Sequence, residues 1–387
     1  MNPRPCQLVS GTSSTKAQWL LTEEQLVLSL EAGDTQVLAL RELCSVAGDE
    51  LSVTLATPGQ AFTLSRLGAD AALLLAELRA RWLPTRARTL RLLGASDGWQ
   101  FTGSLTRAPG GSAERADLLL AGSTLLVAPH GQDVSPLFLA LLDRLVFDPL
   151  AYAVVATTSD GGGWSLGMLG SRSEDLHERL RDARSRLAAW TATVLAAEMP
   201  ALSATARALL ANHWAPGRLL PLDAVSAEAR AALQAWFDRG DRAAEATALQ
   251  RWAEDDQIWF GLTPPPGTEP TTVLDQPDTG EVPAALLWLL ARRGSAILLE
   301  AIGGEDLATY HFEGGAALVP LVSEMLCAPH FAREAVYAPL GELTGERADL
   351  GLAARHLPFL VELRQRFVKR IIHRDTASWQ SAIDALR

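Results

Sequence analysis

The chain is poor in lysine and cysteine and has no long unbroken apolar run, and each shortage narrows what it can be. Lys16 and Lys369 are the only lysines, so nearly all of the 34 basic residues are arginine, set against 45 acidic ones for a net charge of −11. A body of that sign repels nucleic acid and anionic membrane, leaving only a local basic patch to bind either. The arginine bias, with abundant Ala and Leu, reads as the coding bias of a GC-rich bacterium. Cys6, Cys44 and Cys327 are odd in number, far apart and without CxxC spacing, which argues against a disulfide framework and for a reducing, cytoplasmic setting. The opening MNPRPCQLVSGTSSTKAQW lacks the apolar core of a signal peptide. The two most apolar stretches are broken by Asp143, Arg144 and Asp148, and by Arg292 and Arg293. Neither reaches the roughly 20 apolar residues that span a bilayer, so no transmembrane segment is expected.

What is present is an internal repeat. The 387 residues are too many for one ordinary core, and a content of 48% hydrophobic and 20% charged residues is that of globular domains. Residues 17–82 align with 116–184: AQWLLTEEQLVLSL matches ADLLLAGSTLLVAP, and after three extra residues the register continues without a gap. It sets Leu40 on Leu142, Leu43 on Leu145, Val53 on Val155, Phe62 on Trp164, Leu67 on Leu169 and Gly68 on Gly170. Each copy strings short strand-like runs between polar turns (EAGD, TPGQ, SDGGG) and passes through a Leu-Gly step into one helix. The first helix carries Leu74, Leu78 and Trp82 on one face, and the second carries Leu176, Leu180 and Leu187.

That order of strands, Leu-Gly step and closing amphipathic helix resembles the pleckstrin-homology-like domains, over about 17–85 and 87–187. The resemblance implies a strongly bent antiparallel sheet whose open corner is plugged by a helix. Members that bind phosphoinositides carry Lys or Arg in the loop joining the first two strands. The matching loops here are Thr22-Glu23-Glu24-Gln25 and Ala121-Gly122-Ser123-Thr124, so the family's protein-binding role is the one implied. The expected architecture is α+β: tandem pleckstrin-like modules at 1–86 and 87–187, a helical segment at 188–256, and a third mixed module at 257–387. Strand-like runs in 257–330 suggest a degraded third copy, and Trp236 and Trp252 are expected to face inward. The stretch 263–283, rich in Pro and Thr, reads as a surface loop.

Gly163-Trp164-Ser165-Leu166-Gly167 matches the G-x-S-x-G of a nucleophile elbow, and Pro129-His130-Gly131 is similar to the His-Gly oxyanion loop of hydrolases. A serine hydrolase using Ser165, with Asp306, His311 or His330 as partners, is therefore one alternative. Against it, Ser159-Asp160-Gly161-Gly162 is hairpin-turn sequence, and Ser165 falls on Thr63 of the first copy, inside a strand pattern. The alternation then puts Trp164 and Leu166 inward and Ser165 outward. The seven histidines form no HxH, HExxH or zinc-spaced cluster, Cys327 with His330 is a single pair, and Glu254, Asp255 and Asp256 read as a solvated helix end. No phosphate-binding loop or dinucleotide fingerprint occurs, so no cofactor or metal is expected.

HLPFLVELRQRFVKRIIHRD runs against the global charge. A last helix from about His356 to Ile372 is predicted, with Leu357, Leu360, Leu363, Phe367 and Ile371 as its apolar stripe. Arg364, Arg366, Lys369, Arg370 and Arg374 beside it make a candidate interaction element, giving peripheral membrane association as a second alternative. The principal expectation is a non-enzymatic interaction or scaffold subunit of a bacterial multiprotein system, whose partners are other proteins and not nucleic acid. Two related surfaces on one chain allow two-point binding.

Overall fold

The computed structural model describes residues 3–92, 98–108, 110–159, 161–239, 243–253, 257–265, 268, 284–302, 308–329, 332–373 and 375–386. The fold is α+β, with two curled antiparallel sheets and a third sheet among helices. It divides into two compact units, Met1–Leu137 with Asp143–Glu178, and Phe138–Leu142 with Arg179–Arg387.

In the first unit, β1 (Arg4–Ser10), β2 (Ser13–Leu21), β3 (Gln25–Leu30), β4 (Thr35–Ala39), β5 (Ser45–Gly48), β6 (Val53–Thr57) and β7 (Gln60–Ser65) precede helix α1 (Asp70–Thr89). The second copy repeats them as β8 (Trp99–Ala108), β9 (Glu114–Ala121), β10 (Thr124–Pro129), β11 (Ser135–Phe138), β12 (Leu142–Asp148), β13 (Ala153–Thr158), β14 (Gly163–Gly167) and α2 (Arg172–Glu198). The strand orders are β4-β3-β2-β1-β7-β6-β5 and β11-β10-β9-β8-β14-β13-β12, the same path twice. Alternation decides which side is core: Ala17, Trp19 and Leu21 on β2 and Leu26 and Leu28 on β3 are buried, while Gln18 and Ser29 face out. The duplication therefore begins one strand earlier than the sequence alignment finds.

The Leu-Gly step is repeated in backbone detail. Arg66 and Met168 sit at φ 57° and 55°, and Gly68 and Gly170 at 57° and 60°. Each turn then sends two N–H groups back, Asp70 to Leu67 and Ala71 to Gly68 in one copy, Arg172 to Leu169 and Ser173 to Gly170 in the other. Two left-handed residues in five reverse the chain between strand and helix, which is why glycine stands at the second of them. The helices also address the same carbonyl: Trp82 Nε1 donates to Leu43 O at 2.9 Å, and Arg184 Nη2 to Leu142 O at 2.9 Å.

That pairing corrects the sequence register. Leu40 opens the short 3-10 turn Leu40–Glu42 and matches Leu139 of Leu139–Leu141, so Leu43 matches Leu142, not Leu145. By strand pairing, two of the three extra residues of the second copy lie between Leu142 and Val154 and the third between Val154 and Leu166: Val53 pairs with Leu64 where Val154 pairs with Leu166, so Val53 matches Val154, not Val155. Helix α2 also runs unbroken through residue 187 to Glu198, so no element ends at that boundary.

The second unit is layered around a six-stranded antiparallel sheet, order β15-β16-β17-β18-β19-β20, built from Leu220–Pro221, Ile258–Thr263, Leu286–Arg293, Ala296–Ile302, Ala308–Glu313 and Phe367–Ile372. One face presents Leu287, Leu289, Ala291, Leu298 and Ile371 to a core with α2, α3 (Ala204–His213), α4 (Ala227–Arg239), α5 (Ala243–Trp252) and α10 (Thr376–Asp384). Trp252 is fully buried there, while Trp236 is only partly buried and its neighbour Phe237 takes the inner place. The other face carries Trp288, Tyr310 and Phe312, covered by α6 (Leu318–Cys327), α7 (Glu334–Tyr337), α8 (Ala348–His356) and α9 (Pro358–Arg366). The strands expected in 257–330 are present, but they form a meander completed by a strand from the C-terminal end. It is not a third copy of the seven-strand module.

Candidate interaction site

The first unit is knit together by charge as well as by apolar packing. Helix α1 buries Leu74, Leu78 and Trp82, and also sends two arginines toward the second copy. Arg86 has no exposed surface; its Nε and Nη2 reach Asp133 Oδ1 and Oδ2 at 3.0 and 2.6 Å, and its Nη1 donates to Arg41 O at 3.0 Å. Arg79 Nε lies 3.5 Å from Asp117 Oδ2, His130 Nε2 lies 3.5 Å from the same oxygen, and Thr102 donates to Asp117 Oδ1 at 2.8 Å. Burial pushes the Asp117 carboxyl up, but His130, Thr102 and the charge of Arg79 outweigh it and hold it below the usual carboxylate value. A buried, bidentate arginine specifies one geometry, so the two modules are presented in a fixed arrangement.

On this body the same turn is exposed in both copies. Between β5 and β6, Asp49 Oδ1 accepts from the N–H groups of Leu51 and Ser52 at 2.8 Å each. Between β12 and β13, Asp148 Oδ1 accepts from Leu150 and Ala151 at 2.9 and 3.1 Å. In each case the leucine two residues after the aspartate stands in solvent, Leu51 at 74% and Leu150 at 97% exposure. Those hydrogen bonds hold Asp49 below its ordinary carboxylate value. Phe147 and Tyr152, on either side of the second turn in sequence, add aromatic surface there. Phe147 and Tyr152 meet edge-to-face at 5.6 Å, His177 lies 6.1 Å from Phe147, and Met168 is largely exposed. The tethered turn costs little chain entropy to hold, and each leucine keeps apolar surface in water that a contact would bury.

The sequence-predicted residues fall elsewhere. Ser165 lies in the middle of β14, opposite Val155 and Thr106, not on a turn before a helix. His130 follows β10, and β9 and β8 lie between β10 and β14, so neither strand neighbour of Ser165 carries it; its own carboxylate neighbour is Asp117. Leu166 is buried as expected, but Trp164 is only half-buried, with Arg107 5.4 Å above its ring. His311 belongs to β19, 3.3 Å from Glu313, and burial lowers its pKa. Asp160, Glu254, Asp255, Asp256, Asp306, His330 and most of 263–283 lie outside the described residues.

The expected last helix from His356 to Ile372 is corrected. Helix α9 ends at Arg366, and Phe367–Ile372 is strand β20, paired with β19. The β-branched Val368, Ile371 and Ile372 favour the sheet, where Ile371 joins the core. The basic residues are thereby dispersed. Arg364 donates to the carbonyls of Ala335, Val336 and Ala338 at the end of α7. Arg366 pairs with Glu362, Arg370 lies 4.4 Å over Tyr337, and Lys369 is exposed on the edge strand. Arg374 lies outside the described residues. Arg364 and Arg366 stand on a helix and Lys369 and Arg370 on a strand, so these four share no helical face.

Sequence reasoning missed a buried polar network on the inner face of the sheet. Thr309 donates to Glu300 Oε2 at 2.5 Å and accepts from Trp379 Nε1 at 2.8 Å, while His373 Nε2 lies 3.1 Å from the same carboxylate oxygen. His373 stacks on Trp379 at 4.7 Å, and Glu245 lies 4.0 Å from its other nitrogen. These residues are 245, 300, 309, 373 and 379, with no local spacing to mark them. The network fastens α10 and the end of β20 to the sheet.

No protein family matches this chain, and no curated protein does. Among solved structures, similarity is found to an apo structure of the activated truncation of Vav1, at 13% identity over 30% of this chain and 39% of that one, with a TM-score of 0.22. A structure of Vav1 inhibited by an allosteric inhibitor is similar at 14% identity over 32% of this chain and 39% of that one, again with a TM-score of 0.22. The chain thus spans about two fifths of those structures, an overlap too slight to carry any argument about activity. Among the described residues, no helix is long and apolar enough to cross a membrane.

Proposed function

We propose that this chain is a non-enzymatic interaction subunit of a bacterial multiprotein system, acting in the cytoplasm through its paired pleckstrin-like modules. The observation that supports this reading is the recurrence of one solvent-facing leucine, Leu51 and Leu150, on the same aspartate-tethered turn of both copies. An exposed leucine is ordinary once; the same one at the matched place in both copies gives one partner two footholds. With the modules fixed by Arg86 and Asp133, the second contact forms at high effective concentration and adds avidity without a large interface at either turn.

The test places a photo-crosslinking amino acid at position 51 or 150 in the native host. The expected outcome is one and the same partner captured from both positions, and not from exposed Val37 on the edge strand β4. Failure to crosslink at either turn, or unrelated adducts at the two, sinks the proposal.

A further inference from the structure

The basic segment near the C-terminal end, dispersed as a helix, acquires a different use as a strand. Strand β20 is the last of the six-stranded sheet, and only β19 pairs with it. In an antiparallel ladder every second residue turns its N–H and C=O away from its neighbour, so the outer edge of Phe367–Ile372 carries backbone groups that no strand satisfies. The helices beside it pack on the two faces of the sheet, Tyr337 of α7 under Arg370 and Trp379 of α10 on Thr309. Along the edge, Val368 and Ile372 are each 49% exposed, and Lys369 is exposed between them. The opposite edge of the sheet offers no such ladder: β15 is two residues long, and its second is a proline.

Charge says which strand fits. Among the described residues, Lys369 and Arg370 have no carboxylate partner. The carboxylates close to them in sequence or on β19 are engaged elsewhere: Glu362 with Arg366, Asp375 with Ser378, and Glu313 with Ser295 and His311. The edge is therefore locally positive on a chain whose net charge is −11. Antiparallel pairing of β20 with a second copy of itself, end to end, would set Lys369 against Arg370, and like charges directly opposite are destabilising. A lysine in the middle of an edge strand thus keeps out its own kind and admits a strand of opposite sign.

We propose that β20 is a docking edge for an extended acidic segment of a partner protein. The segment adds a strand to the sheet; its backbone hydrogen bonds supply affinity, and a carboxylate facing Lys369 selects it. The edge belongs to the second unit and the leucine turns to the first, so either proposal can fail alone.

The probe is a synthetic peptide, Thr-Val-Glu-Val-Glu-Val-Thr with blocked ends and a fluorescent label, titrated into the full chain at low salt and followed by anisotropy. The expected result is saturable one-to-one binding, with the counterpart carrying lysine for glutamate weaker by about fivefold or more. N-methylation of one alternate set of the peptide's amides removes ladder donors while keeping the charge; for one of the two sets it should abolish binding. Lys369→Glu, an exposed substitution with the fold checked by circular dichroism, should remove the preference for glutamate. Hydrogen exchange of residues 367–372 should slow when the peptide is bound. No binding of the glutamate peptide, equal binding of the lysine peptide, or an unchanged preference in Lys369→Glu overturns the assignment. So does full binding after N-methylation of either set, which would mean attraction by charge alone, or protection that appears elsewhere and not at 367–372.

Discussion

Replacing Arg86 tests whether charge fixes the two modules together. The guanidinium is fully buried and makes four hydrogen bonds, two to Asp133, one to the carbonyl of Arg41 and a long one to Cys44 Sγ at 3.9 Å. Arg86→Met fills much of the same volume but removes the ion pair from the Asp133 carboxylate, which keeps the N–H of Val134, and the side-chain donor from the Arg41 carbonyl. Breaking a buried pair from one side costs about 3–5 kcal/mol. Asp133 keeps 26% of its side-chain surface and can recover some hydration, so the low end, about 3 kcal/mol, is expected. For a unit of this size, roughly 2–4 °C per kcal/mol gives a fall of about 6–12 °C in the first unit's melting temperature. Thermal unfolding followed by far-UV circular dichroism measures that shift, and urea denaturation the free-energy loss, with the slope of the transition checked for constancy so that the midpoint reports stability. Asp133→Asn should also destabilise, and the double variant should cost clearly less than the two single losses added together. A loss below about 1 kcal/mol for Arg86→Met, or strict additivity, would refute the claim that this pair holds the modules.

Two further outcomes follow from the titratable groups. The Asp117 carboxyl is held below its ordinary value in the fold, so its contribution is whole above the unfolded value of about 3.9 and is lost as pH falls below that. The stability gap between the native chain and Asp117→Asn should be constant from pH 7 to about 5 and shrink below about 4; a gap that widens on acidification contradicts the assignment. Burial pushes the Cys6 thiol up to about 11 and raises that of Cys327 as well, while Cys44 is only half-buried. A thiol reagent at pH 8 should therefore modify Cys44 first, leaving the other two protected until urea unfolds the chain, as peptide mapping by mass spectrometry would show.

The parts legible in the sequence are those with a short period or a local code. Alternating runs such as AQWLLTEEQLVLSL and the Leu-Gly steps marked strands, turns and closing helix because side-chain direction and left-handed backbone are local properties. The register in the middle of the repeat was misplaced because leucine is so common there that Leu43 finds a match at Leu145 as readily as at Leu142. Only the carbonyl that each helix addresses distinguishes them. The segment 358–372 carries a helical stripe throughout, yet pairing with β19 turns its second half into a strand, a long-range preference that no window of the sequence contains. Of the candidate site, neither Leu51 nor Leu150 stands out in a leucine-rich chain. The Asp-x-Leu spacing after a strand, present in both copies, was the signal available, and the misplaced register hid it.

The most direct test of the interaction reading is quantitative affinity purification of the tagged chain from its native host, beside the Leu51→Ser, Leu150→Ser double variant. Surface substitutions of this kind change stability by no more than about 0.5 kcal/mol, so both proteins should be equally folded and abundant. The account predicts a stoichiometric partner with the native chain and its loss with the variant. Co-purification of the same partner at equal yield with both, or of none with either, would contradict it.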